Sequence, residues 1–133
     1  MYKVLVFAGT TEGYEICRFL ADHKIETKGF VATEYGSKSL AESEFLTVQT
    51  GRLDAAAMEE VFLQEKPEMV LDATHPYAAE VTVNIRTACE NTQTAYYRVL
   101  REAGEHEDRA VYVDSVQAAA DYLDQTQGSV LLT

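Results

Sequence analysis

The composition of the 133-residue chain excludes several classes of protein. With 47% apolar residues, 25% charged residues and two prolines, it fits one compact soluble domain rather than a disordered segment. No stretch approaches the ~18 unbroken apolar residues of a membrane span. The short apolar run near the N-terminus lacks the features of a signal peptide, so a cytoplasmic location is expected. The net charge of −11 argues against nucleic acid and anionic membranes as partners, because both require a basic surface.

The cysteines and histidines do not follow a metal-binding pattern. Cys17 and Cys89 fall in predicted helices without a CxxC motif, which is typical of free, half-buried thiols. His23, His75 and His106 are far apart in sequence and lack the spacing of metal ligands. No metal site is predicted.

Apolar patterns predict alternating strands and helices along the chain. Apolar runs bounded by turn signals predict strands over residues 3–8, 27–33, 45–50, 68–74, 94–99 and 110–113. Helical spacing predicts helices from Glu12 to about Lys24, from Ala78 through Ala88, and over 116–123. Residues 51–65 are predicted to form a turn and then a helix with Asp54 as N-cap. Residues 34–43 are predicted to form a loop with at most one short helix.

This alternation predicts an α/β fold. The strands are apolar throughout, which is typical of a parallel sheet covered by helices on both faces. Right-handed crossovers then favour a Rossmann-like, doubly wound, three-layer α/β/α domain with strand order 3-2-1-4-5. The terminal "SVLLT" (129–133) is either an edge strand of this sheet or the first strand of a further βα series.

The turn "AGTTEG" (8–13) follows the first strand and opens a helix. Gly9 permits a tight turn, Thr10 and Thr11 offer hydroxyl and N–H groups at a helix N-terminus, and Gly13 allows close packing on the strand. Such a turn can bind a pyrophosphate, although it is not the GxGxxG fingerprint. The alternative is that Gly9 only shapes the turn and that Thr10 or Thr11 caps the helix.

The turn "THPY" (74–77) follows the fourth strand. In the predicted strand order it faces the first turn across the crevice where ligands bind in such sheets. Asp72 and His75 invite a proton-transfer role. The alternative is local, with Thr74 or His75 capping the next helix and Pro76 in its first turn, where a missing N–H costs nothing.

Charged residues near the other strand ends bear on the ligand. Glu34, just after the second strand, is positioned to receive ribose hydroxyls and favours NADH, whereas Ser37 and Lys38 could serve a phosphate. A solvated loop explains both equally well. Three of the eleven basic residues lie toward the same edge and form a potential anion receptor, namely Arg52, Arg98 and Arg101.

Taken together, five segments resemble the precorrin-6A reductase family of cobalamin biosynthesis, including its cobalt-precorrin-6A reductases. The segments are "VFAGTTEG", "VATEYG", "TGRLD", "DATHPYAAEVTVNI" and "YYRVLRE". The resemblance implies an oxidoreductase in which NADPH or NADH reduces one ring double bond of a corrin precursor. It also implies that residues 1–133 form the N-terminal, dinucleotide-binding half of an enzyme about twice as long, with about 127–133 as the first strand of its second half.

The resemblance also implies site residues. Those matching the dinucleotide-binding positions are Gly9, Thr10, Thr11, Glu12, Thr33, Glu34, Gly51, Arg52, Thr74, His75 and Pro76. Tyr77 and Arg98 match positions nearer the macrocycle, a polycarboxylate tetrapyrrole. No proton donor is identified, and His75 and Tyr77 are the candidates for it. Lys38 stands where some members have a phosphate-binding arginine, so NADH and NADPH both stay open. The partner is either a missing C-terminal domain or a second copy of the chain.

Two other classes fit parts of the pattern. A methyltransferase that binds S-adenosylmethionine would also use Glu34, but the glycine cluster expected after its first strand is missing. A non-catalytic Rossmann module, either nucleotide-binding or receiver-like, is the third hypothesis. A receiver would need paired acids after strand one and an aspartate ending strand three, where this chain has "AGTT" and "QTGR".

Overall fold

The computed structural model describes residues 2–100, 114–125 and 128, and the chain divides into two units, 1–101 and 102–133. The strands of the first unit are β1 (Val4–Ala8), β2 (Thr27–Val31), β3 (Leu46–Thr50), β4 (Met69–Ala73) and β5 (Tyr96–Arg98). Its helices are α1 (Thr11–Asp22), α2 (Glu34–Ser39), α3 (Ala55–Glu65) and α4 (Ala79–Thr92). The second unit contains α5 (Val116–Asp124), which Ser115 caps.

The five strands form one parallel sheet in the order β3-β2-β1-β4-β5. This confirms the predicted strand order and fold class. β1 is central, and Val4 pairs with Thr27 on one side and Met69 on the other. All five residues of β1 are buried, as expected for a strand covered on both faces.

Alternate residues of β1 enter two separate cores, which produces the three layers. Leu5 and Phe7 belong to a cluster with residues of α3 and α4, whereas Val4 and Val6 belong to a cluster that includes Cys17 of α1. Phe7 also stacks on a neighbouring aromatic ring of β2, with centroids 4.7 Å apart. The period of two along a strand places successive side chains on opposite faces.

Several predicted details are confirmed and others are corrected. Asp54 caps α3 through Ala57 N–H, and the 34–43 segment contains the short helix α2. Cys17 and Cys89 are free, but they are 0% and 2% exposed rather than half-buried, because both pack inside the two cores. Burial raises the pKa of Cys17 to about 12 and that of Cys89 to about 11.

Some predictions fall on other parts of the chain. The strand predicted over 110–113, the terminal segment 129–133 and Arg101 all lie outside the described residues. Among the helices that the structure describes, none is both long enough and apolar enough to span a membrane. The cytoplasmic location stays a prediction.

Candidate functional site

A cleft of about 800 Å³ lies at the carboxyl edge of the sheet. Its walls include residues that directly follow four of the strands, which are Gly9, Thr33, Gly51, Arg52, Thr74, His75 and Tyr77. The cleft therefore occupies the region where strand order reverses between β1 and β4, the usual ligand site of an open parallel sheet.

The turn between β1 and α1 is held by Thr10. Its Oγ1 accepts a hydrogen bond from Gly13 N–H at 3.2 Å and donates one to Ala73 O at 2.9 Å. Thr10 is thus the N-cap of α1, which confirms the capping alternative for this residue. Its hydroxyl is occupied within the fold, whereas Thr11 is exposed at the first helical position.

Gly13 brings α1 close to the sheet. A Cβ at this position would lie 2.9 Å from the Ala8 Cα, closer than real Cβ atoms come, and 3.1 Å from the Ala73 Cβ, which is tighter than most real contacts. The predicted packing role of Gly13 is confirmed. Gly9 differs, because a Cβ there would make ordinary contacts of 3.5 Å to Thr74 Cα.

The two turns touch at their base instead of facing each other across a gap. Gly9 N–H donates to Ala73 O at 3.3 Å, and a Cβ added at Gly9 would lie 3.5 Å from the Thr74 Cα. Both turns border the same cleft, as predicted. However, the opposing walls come from the ends of β2 and β3, since β1 and β4 are adjacent strands.

The predicted caps of α4 are wrong. The helix begins at Ala79, and its N-cap Ala78 makes no side-chain capping bond. His75 instead shapes the turn that precedes the helix, because its Nδ1 accepts from Tyr77 N–H at 3.2 Å and its carbonyl accepts from Ala78 N–H at 2.9 Å. Pro76 lies in this turn, ahead of the first helical residue.

Asp72 sits behind the turn and is completely buried. Its Oδ1 accepts from Thr74 N–H, Thr74 Oγ1 and Arg98 Nη1 at 3.1, 2.6 and 3.0 Å. Its Oδ2 accepts from Thr82 Oγ1 and Tyr96 Oη, both at 2.8 Å. We call these five residues the Asp72 clamp: Asp72, Thr74, Thr82, Tyr96 and Arg98.

The clamp keeps Asp72 ionised. Burial opposes the charge, but the hydrogen bonds from Thr74, Tyr96 and Thr82 outweigh it and hold the pKa below the usual 3.8. Burial and the adjacent carboxylate raise the pKa of Tyr96 well above its ordinary value. A carboxylate with a lowered pKa and no exposed surface favours a structural role over proton donation to a ligand, and the proton-transfer role considered for Asp72 stays a prediction.

Arg98 is part of this clamp. Besides Asp72 Oδ1, its Nη1 donates to Asp72 O at 3.0 Å and to Thr74 O at 2.9 Å, and its side chain is 19% exposed. Arg98 does not line the cleft. Its predicted contact with a substrate stays a prediction.

The turns after β2 and β3 form the other side of the cleft. Thr33 caps α2 through Gly36 N–H at 3.2 Å, and Glu34 is the exposed first residue of that helix. Gly51 has φ +118°, a conformation that favours glycine. Arg52 follows it, exposed on the cleft wall.

The cleft therefore brings together seven of the predicted site residues but not all of them. The other six do not line it: Thr10, Thr11, Glu12, Glu34, Pro76 and Arg98. Sequence reasoning missed Tyr14, Asp54 and Asn84, which do line it. Tyr14 and Asn84 lie on α1 and α4, the helices that follow the two turns. The one sequence signal for them is that their spacing along each helix can place them on the side that faces the cleft.

Tyr77 and His75 form an aromatic rim. Tyr77 is 91% exposed, and its ring centroid lies 5.1 Å from that of His75. Both border the cleft. Within the described residues, no group of three or more histidine, cysteine or acidic side chains is arranged to hold a metal ion.

Comparison with known proteins agrees with this geometry. Residues 3–133 match the model of the precorrin-6x reductase CbiJ/CobK family. The precorrin-6A reductase of Rhodobacter capsulatus is 30% identical over 99% of this chain and 53% of its own length. The cobalt-precorrin-6A reductase of Methanothermobacter thermautotrophicus is 34% identical over 74% of this chain and 33% of its own.

A solved structure described as a CobK precorrin-6A reductase superposes with a TM-score of 0.73. It is 29% identical to this chain, and the match covers 91% of this chain and 48% of the solved one. The chain thus spans about half, or less, of the length of the relatives it matches. Because the family model matches nearly every residue, the chain belongs to the precorrin-6x reductase CbiJ/CobK family.

Proposed function

We propose that this chain forms the nucleotide-binding half of a reductase that uses NADPH or NADH to reduce a ring double bond of a corrin precursor, precorrin-6A or its cobalt form. The observation that carries the proposal is the cleft over the switch point between β1 and β4. The names of the relatives support the reaction and the substrate class.

The residues of the cleft fit a dinucleotide. Its volume of about 800 Å³ lies within the ~300–1,000 Å³ of small-molecule sites. Gly9 leaves the N-terminus of α1 open to a phosphate group, and Thr33, Gly51 and Arg52 would hold the adenosine side. Thr74 and His75 of the cleft wall, with Pro76 in the same turn, would hold the nicotinamide side. A reduced nicotinamide supplies the hydride when it is bound.

The chain's own residues would orient the reactants. The exposed ring of Tyr77 offers a flat apolar surface for a macrocycle, and His75 lies directly beside it. We propose these two residues as the candidates for proton delivery. The carboxylates of the substrate would require cations, and Arg98 and the segment that follows it are the proposed source. A second domain, or a second copy of the chain, would complete the substrate site.

Calorimetric titration with NADH and NADPH tests the nucleotide site. We expect saturable binding of at least one of them, and Arg52→Ala is expected to weaken it about tenfold, a loss of about 1.4 kcal/mol. Lys3→Ala is the matched control, because it removes one positive charge from an exposed residue at the amino edge of the sheet.

Two outcomes would count against the proposal. A folded protein that binds neither nucleotide would refute the nucleotide site. Tight binding of S-adenosylmethionine in the absence of NADH or NADPH binding would favour a methyltransferase instead. Equal losses of nucleotide affinity for Arg52→Ala and Lys3→Ala would show that Arg52 does not contact the nucleotide and that the loss reflects only the change in net charge.

A further inference from the structure

We infer that Asp72 is a positioning residue of the cleft: through the Asp72 clamp it fixes the turn of residues 74–77, which forms the nicotinamide side of the site. The inference rests on the proposed function for the identity of the probe, a nicotinamide nucleotide. The statement that Asp72 holds the turn does not depend on which ligand binds in the cleft.

The 74–77 turn lacks the support that strand-to-helix turns commonly have. No side chain caps α4, and the bonds that His75 makes are confined to the turn itself. Three residues of the turn border the cleft, and Tyr77 is 91% exposed. An exposed turn without a capping side chain needs contacts from neighbouring elements to keep one conformation.

The Asp72 clamp supplies that anchor through three side chains from two elements, α4 and β5. Thr82 reaches Asp72 Oδ2 from α4, and Tyr96 reaches the same oxygen from β5. Arg98 Nη1, also from β5, binds the carbonyls of both Asp72 and Thr74. The backbone at residues 72–74 is therefore held on its N–H and C=O groups at once.

Asp72 itself has no direct access to a ligand. Asp72 is 0% exposed, and four of the five clamp residues are absent from the cleft wall, the exception being Thr74. Charge-assisted hydrogen bonds to a buried carboxylate are stronger than neutral ones. Any effect of Asp72 on binding must therefore act through the position of the turn.

The two ends of the cleft allow a selective test. The adenosine side is formed by the ends of β2 and β3, which the clamp does not contact. Loosening the clamp should therefore weaken binding of the complete dinucleotide and leave binding of an adenosine fragment unchanged. A general loss of stability would not discriminate between the two ligands.

Thr82→Val is the test variant, because it keeps the shape of the side chain and removes one donor to Asp72. Thr82→Ser restores the donor. Thr92→Val is the matched control on the same helix, since the Thr92 hydroxyl bonds to Ala88 O at 2.7 Å and to Thr94 Oγ1 at 2.8 Å, neither of which belongs to the clamp. Affinities are measured for the tighter of NADPH and NADH and for the corresponding ADP-ribose fragment.

For Thr82→Val we expect affinity for the dinucleotide to fall about fivefold to tenfold, with fragment affinity unchanged. Thr82→Ser and Thr92→Val should retain dinucleotide affinity. Parallel losses for dinucleotide and fragment, or equal losses for Thr82→Val and Thr92→Val, would overturn the inference. Thermal unfolding of each variant ensures that the folded protein is compared.

Amide hydrogen exchange separates this inference from the proposed function. Exchange at the Thr74, Tyr77 and Ala78 amides should accelerate in Thr82→Val but not in Thr92→Val. If the unmodified protein binds no nucleotide, the proposed function fails while faster exchange still supports the clamp. If exchange is the same in both variants, the clamp does not position the turn.

Discussion

The turn after β1 leads into a helix that is capped by a residue of the turn itself, whereas the turn after β4 has no such cap and is held by side chains from β4, α4 and β5. Thr10 caps α1 through a bond to a residue three positions away. The 74–77 turn has no such cap and depends on Asp72, whose partners include Tyr96 and Arg98. The first turn thus has a local cap in addition to its bonds to Ala73 O, whereas the second depends on partners that the folded sheet brings together.

This difference shows that one cleft can be bordered both by a turn with a local helix cap and by a turn that distant side chains hold in place. A local cap forms whenever its helix forms. A clamp of distant residues forms only when β4, α4 and β5 have assembled. We therefore expect variants at the two turns to differ in the size of the stability change and in its dependence on pH.

The largest expected effect comes from removing the carboxylate at the centre of the clamp. Asp72→Ala leaves Arg98 without its partner, and breaking a buried ion pair costs about 3–5 kcal/mol. Because the Arg98 side chain is 19% exposed, we expect a loss near the lower limit, about 3 kcal/mol. Urea denaturation measures it, and a loss below about 1 kcal/mol would contradict the clamp.

The pH dependence of stability provides a second readout for the same residue. The folded-state pKa of Asp72 lies below 3.8, so its contribution is fully present above the unfolded pKa of about 3.9. That contribution is lost as the pH falls through the folded pKa. Asp72→Asn should therefore flatten the acid limb of the stability profile, and an unchanged limb would show that other carboxylates dominate it.

A smaller effect is expected at the first turn. Thr10→Val removes the cap of α1 and the bond to Ala73 O, at a cost of about 2 kcal/mol. Thr10→Ser keeps both bonds and should stay close to the original stability. The loss should not depend on pH, because no titrating group is involved. Urea denaturation of Thr10→Val and Thr10→Ser at two pH values measures the size of the stability loss and its pH dependence.

The two glycines of the first turn sharpen the comparison further. Gly13→Ala forces a Cβ to within 2.9 Å of the Ala8 backbone and should cost about 1 kcal/mol net, since overpacking exceeds the gain in helix propensity. Gly9→Ala meets only ordinary contacts of 3.5 Å or more, so stability should change by less than about 0.5 kcal/mol.

Nucleotide titration gives the opposite ranking for these two variants. Gly9 lies on the cleft wall, and a methyl group there would lie 3.5 Å from Thr74 Cα and 3.6 Å from His75 N, in the space between the two turns where the phosphate is proposed to approach. We expect Gly9→Ala to reduce affinity about tenfold while the protein remains folded. Unchanged affinity for Gly9→Ala would show that the phosphate does not bind at this turn.

The alternation of apolar runs and helical faces was enough to predict the parallel sheet, its strand order and the N-cap Asp54. These features depend on residues close together in sequence and on general rules of handedness and burial. The capping alternative for Thr10 was predictable for the same reason. The two threonines could not be distinguished by sequence alone, because either satisfies the local pattern.

The function of the "DATHPY" segment depends on tertiary structure. The sequence indicated a polar turn and two candidates for its cap, yet the folded chain uses neither. One partner of Asp72 is Tyr96, which is 24 positions away in the sequence. The pairing of β4 with β5 brings the two residues together. Local pattern determined where strands and helices form, because hydrogen bonding and side-chain periodicity act over a few residues. Only the assembled sheet decided which polar groups are buried together, because burial is a property of the whole fold.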